Sequence, residues 1–325
     1  MRPKVYITRK LPQEVVDEIT KSCDVKMWDE EDIPVPREVL EKEIEEVDGL
    51  YCLLTETIDD QLLKKANHLK VISNMAVGYN NIDVEAAMNK GIMVCNTPGV
   101  LTETTADLTF ALLMATGRRL VESSEYLKGG KWTSWSPMQL TGQDIYGATI
   151  GIIGLGRIGE AVARRAKGFG MKALYHNRSR KLDAEKELGL TYVNKETLLK
   201  ESDYVVVLTP YSAETENLID GPELELMKDT SILINTSRGG IVNEEALYQA
   251  LKEGQILAAG LDVFKDEPIQ PDYPLLTLPN VVALPHIGSA SKKTRMKMAN
   301  MAGTHLLQAL QGETPTHLVN KIAIK

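Results

Sequence analysis

The stretch TIGIIGLGRIGEAVARRA, residues 149–166, restricts the possible folds more than any other part of the chain. An apolar strand pattern runs into Gly154, Leu155, Gly156, Arg157, Ile158 and Gly159, then into an Ala-rich helical pattern. A second apolar run follows, ending at Asn177. Each glycine has a physical reason to be there. Gly154 permits a tight turn, Gly156 lets a pyrophosphate approach the backbone, and Gly159 lets helix pack closely on strand. The helix N-terminus then offers free N–H groups and the positive end of its dipole to phosphates. Strand, turn, helix and strand in this order predict a dinucleotide site in a parallel, doubly wound sheet.

The segment ALYHNRSRK, residues 173–181, qualifies that site. A carboxylate at Asn177 would accept hydrogen bonds from the adenosine ribose hydroxyls and would repel a 2′-phosphate. Asn177, Arg178, Ser179 and Arg180 remove the repulsion and supply charge-assisted donors. NADP(H) is therefore the preferred cofactor, with NAD(H) tolerated; the alternative is a solvated basic loop.

The remainder of the chain alternates in the same way. KVYIT (4–8), GLYCLL (49–54), KVISNMA (70–76) and IMVCNTP (92–98) have the pattern of buried strands, with amphipathic helical patterns between them. After Pro98-Gly99 a helical stretch at 102–130, apolar around much of its circumference, is expected to lie buried between domains or subunits. A second series of strands follows at 148–154, 172–177, 204–210, 231–237, 258–263 and 281–286, and a final helix spans about 290–311. A length of 325 residues suits two α/β domains with a boundary near residue 99. The net charge of −8 argues against nucleic acid or an anionic membrane as a partner. No apolar run is long enough to span a membrane, MRPKVYITRK lacks a signal-peptide core, and Cys23, Cys52 and Cys95 have no CxxC spacing. A cytoplasmic protein without a metal site is expected.

Three later strand ends carry polar residues where ligands bind in open α/β sheets. They hold Asn235-Thr236-Ser237-Arg238, then Asp262 followed by Asp266-Glu267, then Pro285-His286-Ile287-Gly288. Arg238 offers a planar fork to a carboxylate and its neighbouring carbonyl oxygen. His286 can donate a proton to that oxygen as hydride arrives, and Glu267 can hold the imidazole in one tautomer. Trp132 and Trp135, in the Gly- and Pro-flanked segment KWTSWSPM (131–138), are costly to leave in water. They suit either a subunit anchor or a wall of the substrate site.

The segments NMAVGYNNID, NTPGVLTETTAD, GIIGLGRIG, INTSRGGIVNEEAL, GLDVFKDEP and LPHIGSAS occur in one order along the whole chain. On them the sequence resembles the D-isomer-specific 2-hydroxyacid dehydrogenases, and within these the glyoxylate/hydroxypyruvate reductases, through CLLTETID and GGKWTSWSPMQLTG. The resemblance implies a Rossmann domain at 100–287 and a flavodoxin-like substrate domain formed by 1–99 with 288–325. It implies that Arg238, Glu267 and His286 are catalytic. It also implies that the Val77 and Gly78 amides bind the substrate carboxylate, with Ser289 near the substrate. Leu155, Gly156, Arg157, Ile158, Asn177, Arg178, Ser179, Thr209, Thr236, Ser237 and Gly288 fall where relatives touch the cofactor, with Asp262 beside it. It further implies a homodimer in which Trp135 of one copy reaches the active-site mouth of the other. The expected substrates are small 2-oxo and 2-hydroxy acids. The rivals are a phosphoglycerate or D-lactate dehydrogenase of the same family, and a nucleotide-sensing corepressor on the same fold. The complete Arg, Glu and His set speaks against the corepressor.

Overall fold

A computed structural model describes residues 2–320. The chain forms two compact units, Met1–Leu101 with Ser291–Lys325, and Thr102–Ala290.

In the first unit β1 (Lys4–Ile7), α1 (Gln13–Thr20), β2 (Asp24–Met27), α2 (Arg37–Glu43), β3 (Gly49–Cys52), α3 (Asp60–Lys65), β4 (Val71–Asn74), α4 (Val84–Asn89) and β5 (Met93–Cys95) alternate. The strands pair in parallel in the order β2-β1-β3-β4-β5. This flavodoxin-like order reverses between β1 and β3, which puts a ligand crevice outside their carboxyl ends. β3 and β4 are buried at every residue, which is why they show no alternation of apolar and solvent-facing residues, and the polar Ser73 and Asn74 of β4 are hydrogen-bonded. β2 escaped the sequence reading because, as an edge strand, it carries the polar residues Asp24 and Lys26. α3 escaped it because it has only six residues; it is capped by the Asp59 side chain on the Leu62 N–H.

In the second unit α5 (Thr102–Gly117), α6 (Leu120–Lys128), β6 (Thr149–Ile153), α7 (Arg157–Gly168), β7 (Lys172–His176), α8 (Leu182–Leu188), β8 (Thr191–Tyr192), α9 (Lys195–Glu201), β9 (Tyr204–Val207), α10 (Gly221–Glu225), β10 (Ile232–Asn235), α11 (Glu244–Lys252), β11 (Ala258–Leu261) and β12 (Val281–Ala283) form a seven-stranded parallel sheet with its helices. Its order is β12-β11-β10-β9-β6-β7-β8, a Rossmann arrangement extended by one strand, with its switch point between β6 and β9. The helical stretch expected at 102–130 is two helices, because Arg119 takes a left-handed φ of 53° between them and binds Glu122 through both ends of its guanidinium. The apolar circumference of α5 is accounted for within this unit, since Phe110, Leu112 and Leu113 join the core beneath the sheet. Gly260 lets the helix sit directly on β11; a Cβ there would lie 2.6 Å from Thr116 Oγ1.

The last helix, α12 (Lys292–Leu310), belongs to the first unit. Its backbone carbonyls accept from that unit's buried strands, Ala299 O from Tyr51 Oη at 3.1 Å and Ala302 O from Ser73 Oγ at 2.7 Å. On the same helix His305 is buried, 3.2 Å from the His317 ring. Burial and then the facing His317 lower its pKa from the ordinary 6.5 to about 4. A depressed histidine stabilises the fold fully above pH 6.5 and progressively less as the pH falls towards 4. The melting temperature is therefore expected to fall across this window, and more shallowly in His305→Gln. Thermal unfolding monitored by circular dichroism at several pH values checks it.

Candidate active site

At the end of β6 the glycines divide into two kinds. Gly154 has φ +100°, and a Cβ on it would sit 2.7 Å from the Leu208 carbonyl carbon. A Cβ on Gly159 would lie 2.5 Å from Gly154 O. The chain's own packing therefore requires both. Gly156 is exposed, and a Cβ on it would meet nothing within 4 Å, so the chain's own packing does not require a glycine there. Leu155 is buried, Arg157 is exposed, and Ile158 is partly covered in the first turn of α7, whose leading N–H groups lack helical acceptors. Thr209 Oγ1, just beyond β9 across the switch point, is buried with no hydrogen-bond partner among the described residues. A bare glycine, a helix N-terminus and an orphaned hydroxyl fit a phosphate-linked dinucleotide.

The loop after β7 differs from its sequence reading in two respects. Asn177 braces the glycine turn from both sides: its Oδ1 accepts from the Leu155 N–H at 2.7 Å and its Nδ2 donates to Leu155 O at 3.3 Å. Arg180 is already engaged, forking onto Glu185 at 3.0 and 2.6 Å and lying over the Tyr192 ring. Hydrogen bonds from Arg180 and Tyr175 take the Glu185 carboxyl down to about 2. Arg178 and Ser179 remain exposed, and Arg178 has only a long contact to Glu214 at 3.4 Å.

At the opposite half of the sheet, three loops converge. Asn235, the last residue of β10, accepts from the Ser237 N–H and Oγ at 3.1 and 2.8 Å and donates to Arg238 O at 3.0 Å. This turns the backbone so that Arg238 leaves the strand end, its Nη1 on Ser237 O at 2.7 Å. Thr236 Oγ1 shares a hydrogen bond of 2.6 Å with Thr109 of α5. Gly239 abuts the next loop so closely that a Cβ would lie 1.9 Å from the Phe264 carbonyl carbon.

In that loop Glu267 Oε1 accepts from the Phe264 N–H at 2.9 Å, and Oε2 meets His286 Nδ1 at 2.7 Å. His286 has a left-handed φ of 54°, a strained backbone for a residue with a side chain. Asp262 Oδ1 holds the same turn through the Ile287 N–H at 2.8 Å. Its Oδ2 lies beside Gly288, buried and without a partner of normal geometry. Burial raises Asp262 to about 6 against the opposing Ile287 N–H and the nearby His286. For Glu267 burial also pushes upward, but the His286 hydrogen bond and charge outweigh it, with Arg238 adding to them, and hold the carboxyl below its ordinary value. Burial lowers Arg238 while Glu267 opposes the shift. The pair leaves His286 Nε2 without a partner among the described residues, the usual state of a nitrogen that exchanges a proton with a ligand.

In the first unit the Val77 and Gly78 N–H groups follow β4 and donate to no group among the described residues, while their carbonyls accept from Asn96 Nδ2 at 2.8 Å and Asn74 Nδ2 at 3.0 Å. Ser289 is partly covered, in the loop ahead of α12. Trp135 is 77% exposed. Sequence reasoning named Asn235 at its strand end without its bracing role, and missed the two amides of Asn74 and Asn96. It also missed Glu244, which accepts from the Lys265 N–H at 2.6 Å and from the Tyr273 hydroxyl and so anchors the Glu267 loop. A polar residue at the last position of a fully buried strand was the available signal for Asn74 and Asn235. Among the described residues no group of three His, Cys, Asp or Glu side chains is placed to hold a metal.

A Rossmann sheet with a glycine turn at its switch point, and a paired His and Glu beside an Arg, defines a nicotinamide-dependent dehydrogenase. The chain belongs to the D-isomer-specific 2-hydroxyacid dehydrogenase family, whose NAD-binding-domain model matches residues 110–288. It is 50% identical to a glyoxylate reductase of Korarchaeum cryptofilum over 100% of this chain and 98% of that one. A Thermus thermophilus protein of known structure is 43% identical and superposes with a TM-score of 0.91 over 98% of this chain and 100% of that one. The NADPH-dependent glyoxylate/hydroxypyruvate reductase of Sinorhizobium meliloti, solved with NADP and malonate, is 32% identical with a TM-score of 0.88, covering 98% and 97%.

Because Gly159 touches Gly154 O, Gly159→Ala must push α7 away from the turn. The variant is expected to bind a nicotinamide dinucleotide at least about tenfold more weakly, a loss of roughly 1.4 kcal/mol, as read by quenching of tryptophan fluorescence.

Proposed function

We propose that this enzyme reduces small 2-oxo acids, glyoxylate to glycolate and hydroxypyruvate to D-glycerate, with NADPH preferred over NADH, as a cytoplasmic homodimer. The observation that carries the chemistry is the 2.7 Å bond between His286 Nδ1 and Glu267, on a loop pinned to the Phe264 N–H. The whole-chain similarity to glyoxylate reductases supports the substrate class.

The cofactor, when bound, supplies the hydride; Gly156, the first turn of α7, Thr209, Thr236, Ser237, Asp262 and Gly288 would hold it. The remaining work falls to side chains and amides of the chain. Arg238 orients the acid with its fork across the carboxylate and the carbonyl oxygen, and its charge favours negative charge on that oxygen. His286 gives its Nε2 proton to the oxygen and recovers it in the reverse direction. Glu267 keeps Nδ1 protonated, so that Nε2 is the nitrogen that exchanges, and it balances the imidazolium before transfer. The Val77 and Gly78 amides take the substrate carboxylate.

A phosphorylated substrate is disfavoured, because Lys64, Lys65 and Lys70 are paired with Asp60, Glu41 and Asp48. The segment between α6 and β6 exposes Trp132, Trp135, Met138 and Tyr146, the last to 82%, more apolar surface than a lone copy normally presents. This supports a subunit interface there, with Trp135 reaching the partner's active-site mouth.

Initial rates with glyoxylate, hydroxypyruvate, pyruvate and 3-phosphohydroxypyruvate, each with NADPH and NADH, test the reading; no turnover of the first two would sink it. Arg238→Ala is expected to lower kcat/KM by about a hundredfold or more, with NADPH affinity within about threefold, since the lost contact is to substrate and transition state. Since Arg178 is only loosely paired, Arg178→Ala is expected to raise the KM for NADPH about tenfold and leave that for NADH unchanged. Arg180→Ala is expected to leave the preference intact. A reversed pattern in steady-state kinetics would move the 2′-phosphate contact to Arg180.

A further inference from the structure

The free amides after β4 are not left to chance. A trans peptide is planar, with each N–H opposite the preceding carbonyl, so holding a carbonyl aims the next N–H. Ala76 O accepts from the Thr97 N–H at 2.8 Å, which turns the Val77 N–H the other way. Val77 O accepts from Asn96 Nδ2 at 2.8 Å, which does the same for the Gly78 N–H. Gly78 O accepts from Asn74 Nδ2 at 3.0 Å, which aims the Tyr79 N–H.

Three successive carbonyls are thus held from the interior of the unit while the Val77, Gly78 and Tyr79 N–H groups donate to nothing among the described residues. Asn74 is fully buried, and its amide also reaches Asn81 Oδ1 at 3.4 Å. Asn81 in turn donates to Leu53 O at 3.0 Å and Glu56 O at 2.9 Å, which ties the turn to the loop after β3. Successive backbone N–H groups make an anion-binding concavity, and fixed donors cost no reorganisation when the anion arrives.

We infer that Asn96 and Asn74 are positioning residues for substrate: their side-chain amides, bonded to the Val77 and Gly78 carbonyls, aim the Gly78 and Tyr79 N–H groups, and with the Val77 N–H that the Thr97–Ala76 bond aims these form the three donors that capture the carboxylate of a 2-oxo acid. Neither side chain touches substrate. Their effect falls on carboxylate affinity, and the Tyr79 N–H joins the two amides already assigned. The inference rests on the proposed reduction of 2-oxo acids.

The test is Asn96→Ala, which releases the Val77 carbonyl. Three quantities are measured: KM and kcat for glyoxylate, the inhibition constant of oxalate against glyoxylate, and the dissociation constant of NADPH. Losing one fixed donor to a carboxylate is expected to raise both the KM and the oxalate constant about tenfold, with kcat within about threefold and NADPH affinity within about twofold. A purely structural asparagine would lower the melting temperature and leave the oxalate constant unmoved, which overturns the inference. Parallel losses in kcat and in NADPH affinity overturn it as well. If Asn96→Ala is insoluble, Asn96→Ser makes the same cut, because its hydroxyl is too short to reach the Val77 carbonyl. A wild-type enzyme inactive on every 2-oxo acid removes the functional reading itself, whereas an active wild type with an unaffected variant removes only the positioning role.

Discussion

The dinucleotide half of the molecule depends on how closely β6 approaches its neighbours at one point. Gly154 meets the Leu208 backbone and Gly159 meets Gly154 O at distances that leave no room for a Cβ. That contact sets α7 directly on the sheet with its N-terminus at the switch point. It also brings Thr209, beyond β9, next to the turn. A larger residue at either glycine would separate strand, helix and the β9 loop together. Gly156 lies between them under no such pressure, so the same short motif holds two glycines that packing requires and one that it does not.

A second constraint organises the His286 end. Gly239 lets the β10 loop touch the backbone at Phe264, and three carboxylates then tie the loops through backbone N–H groups. Glu267 takes the N–H of Phe264, Glu244 that of Lys265 and Asp262 that of Ile287. Charge-assisted bonds of this kind are stronger than neutral ones and directional. They hold His286 in a backbone conformation it would not adopt alone, and they leave one Glu267 oxygen free for the imidazole. The carboxylate that pairs with histidine thus also fixes the loop that carries it.

Asparagines at strand ends recur as the neutral counterpart of these braces. Asn74 and Asn235 are the final residues of β4 and β10, and Asn96 and Asn177 follow β5 and β7 directly. Each side chain bonds the backbone of the loop that forms a candidate binding surface. An amide carries both a donor and an acceptor, so it can satisfy a carbonyl and an N–H without burying a charge. At the carboxyl ends of parallel strands, where an anionic cofactor and an anionic substrate would bind, neutrality also avoids repelling either.

Local signals in the sequence were enough for the α/β class, most strands, the glycine turn and the candidacy of Arg238, Glu267 and His286, because alternation, turn chemistry and strand-end polarity are short-range properties. They failed where packing overrides pattern. The helix at 102–130 looked continuous until Arg119 turned left-handed, and β2 was hidden by the polar face of an edge strand. Asn177 and Arg180 looked equally like cofactor contacts, yet Leu155 engages the first and Glu185 the second. The freedom of the Val77 and Gly78 amides was invisible as well, since it depends on the Thr97 N–H and Asn96 holding the opposite side of the peptides. The sequence by itself determined which residues could do chemistry, through their identity and their place at strand ends. Only the tertiary structure decided which polar groups remain free to do it, because that depends on partners brought close by the fold from far along the chain.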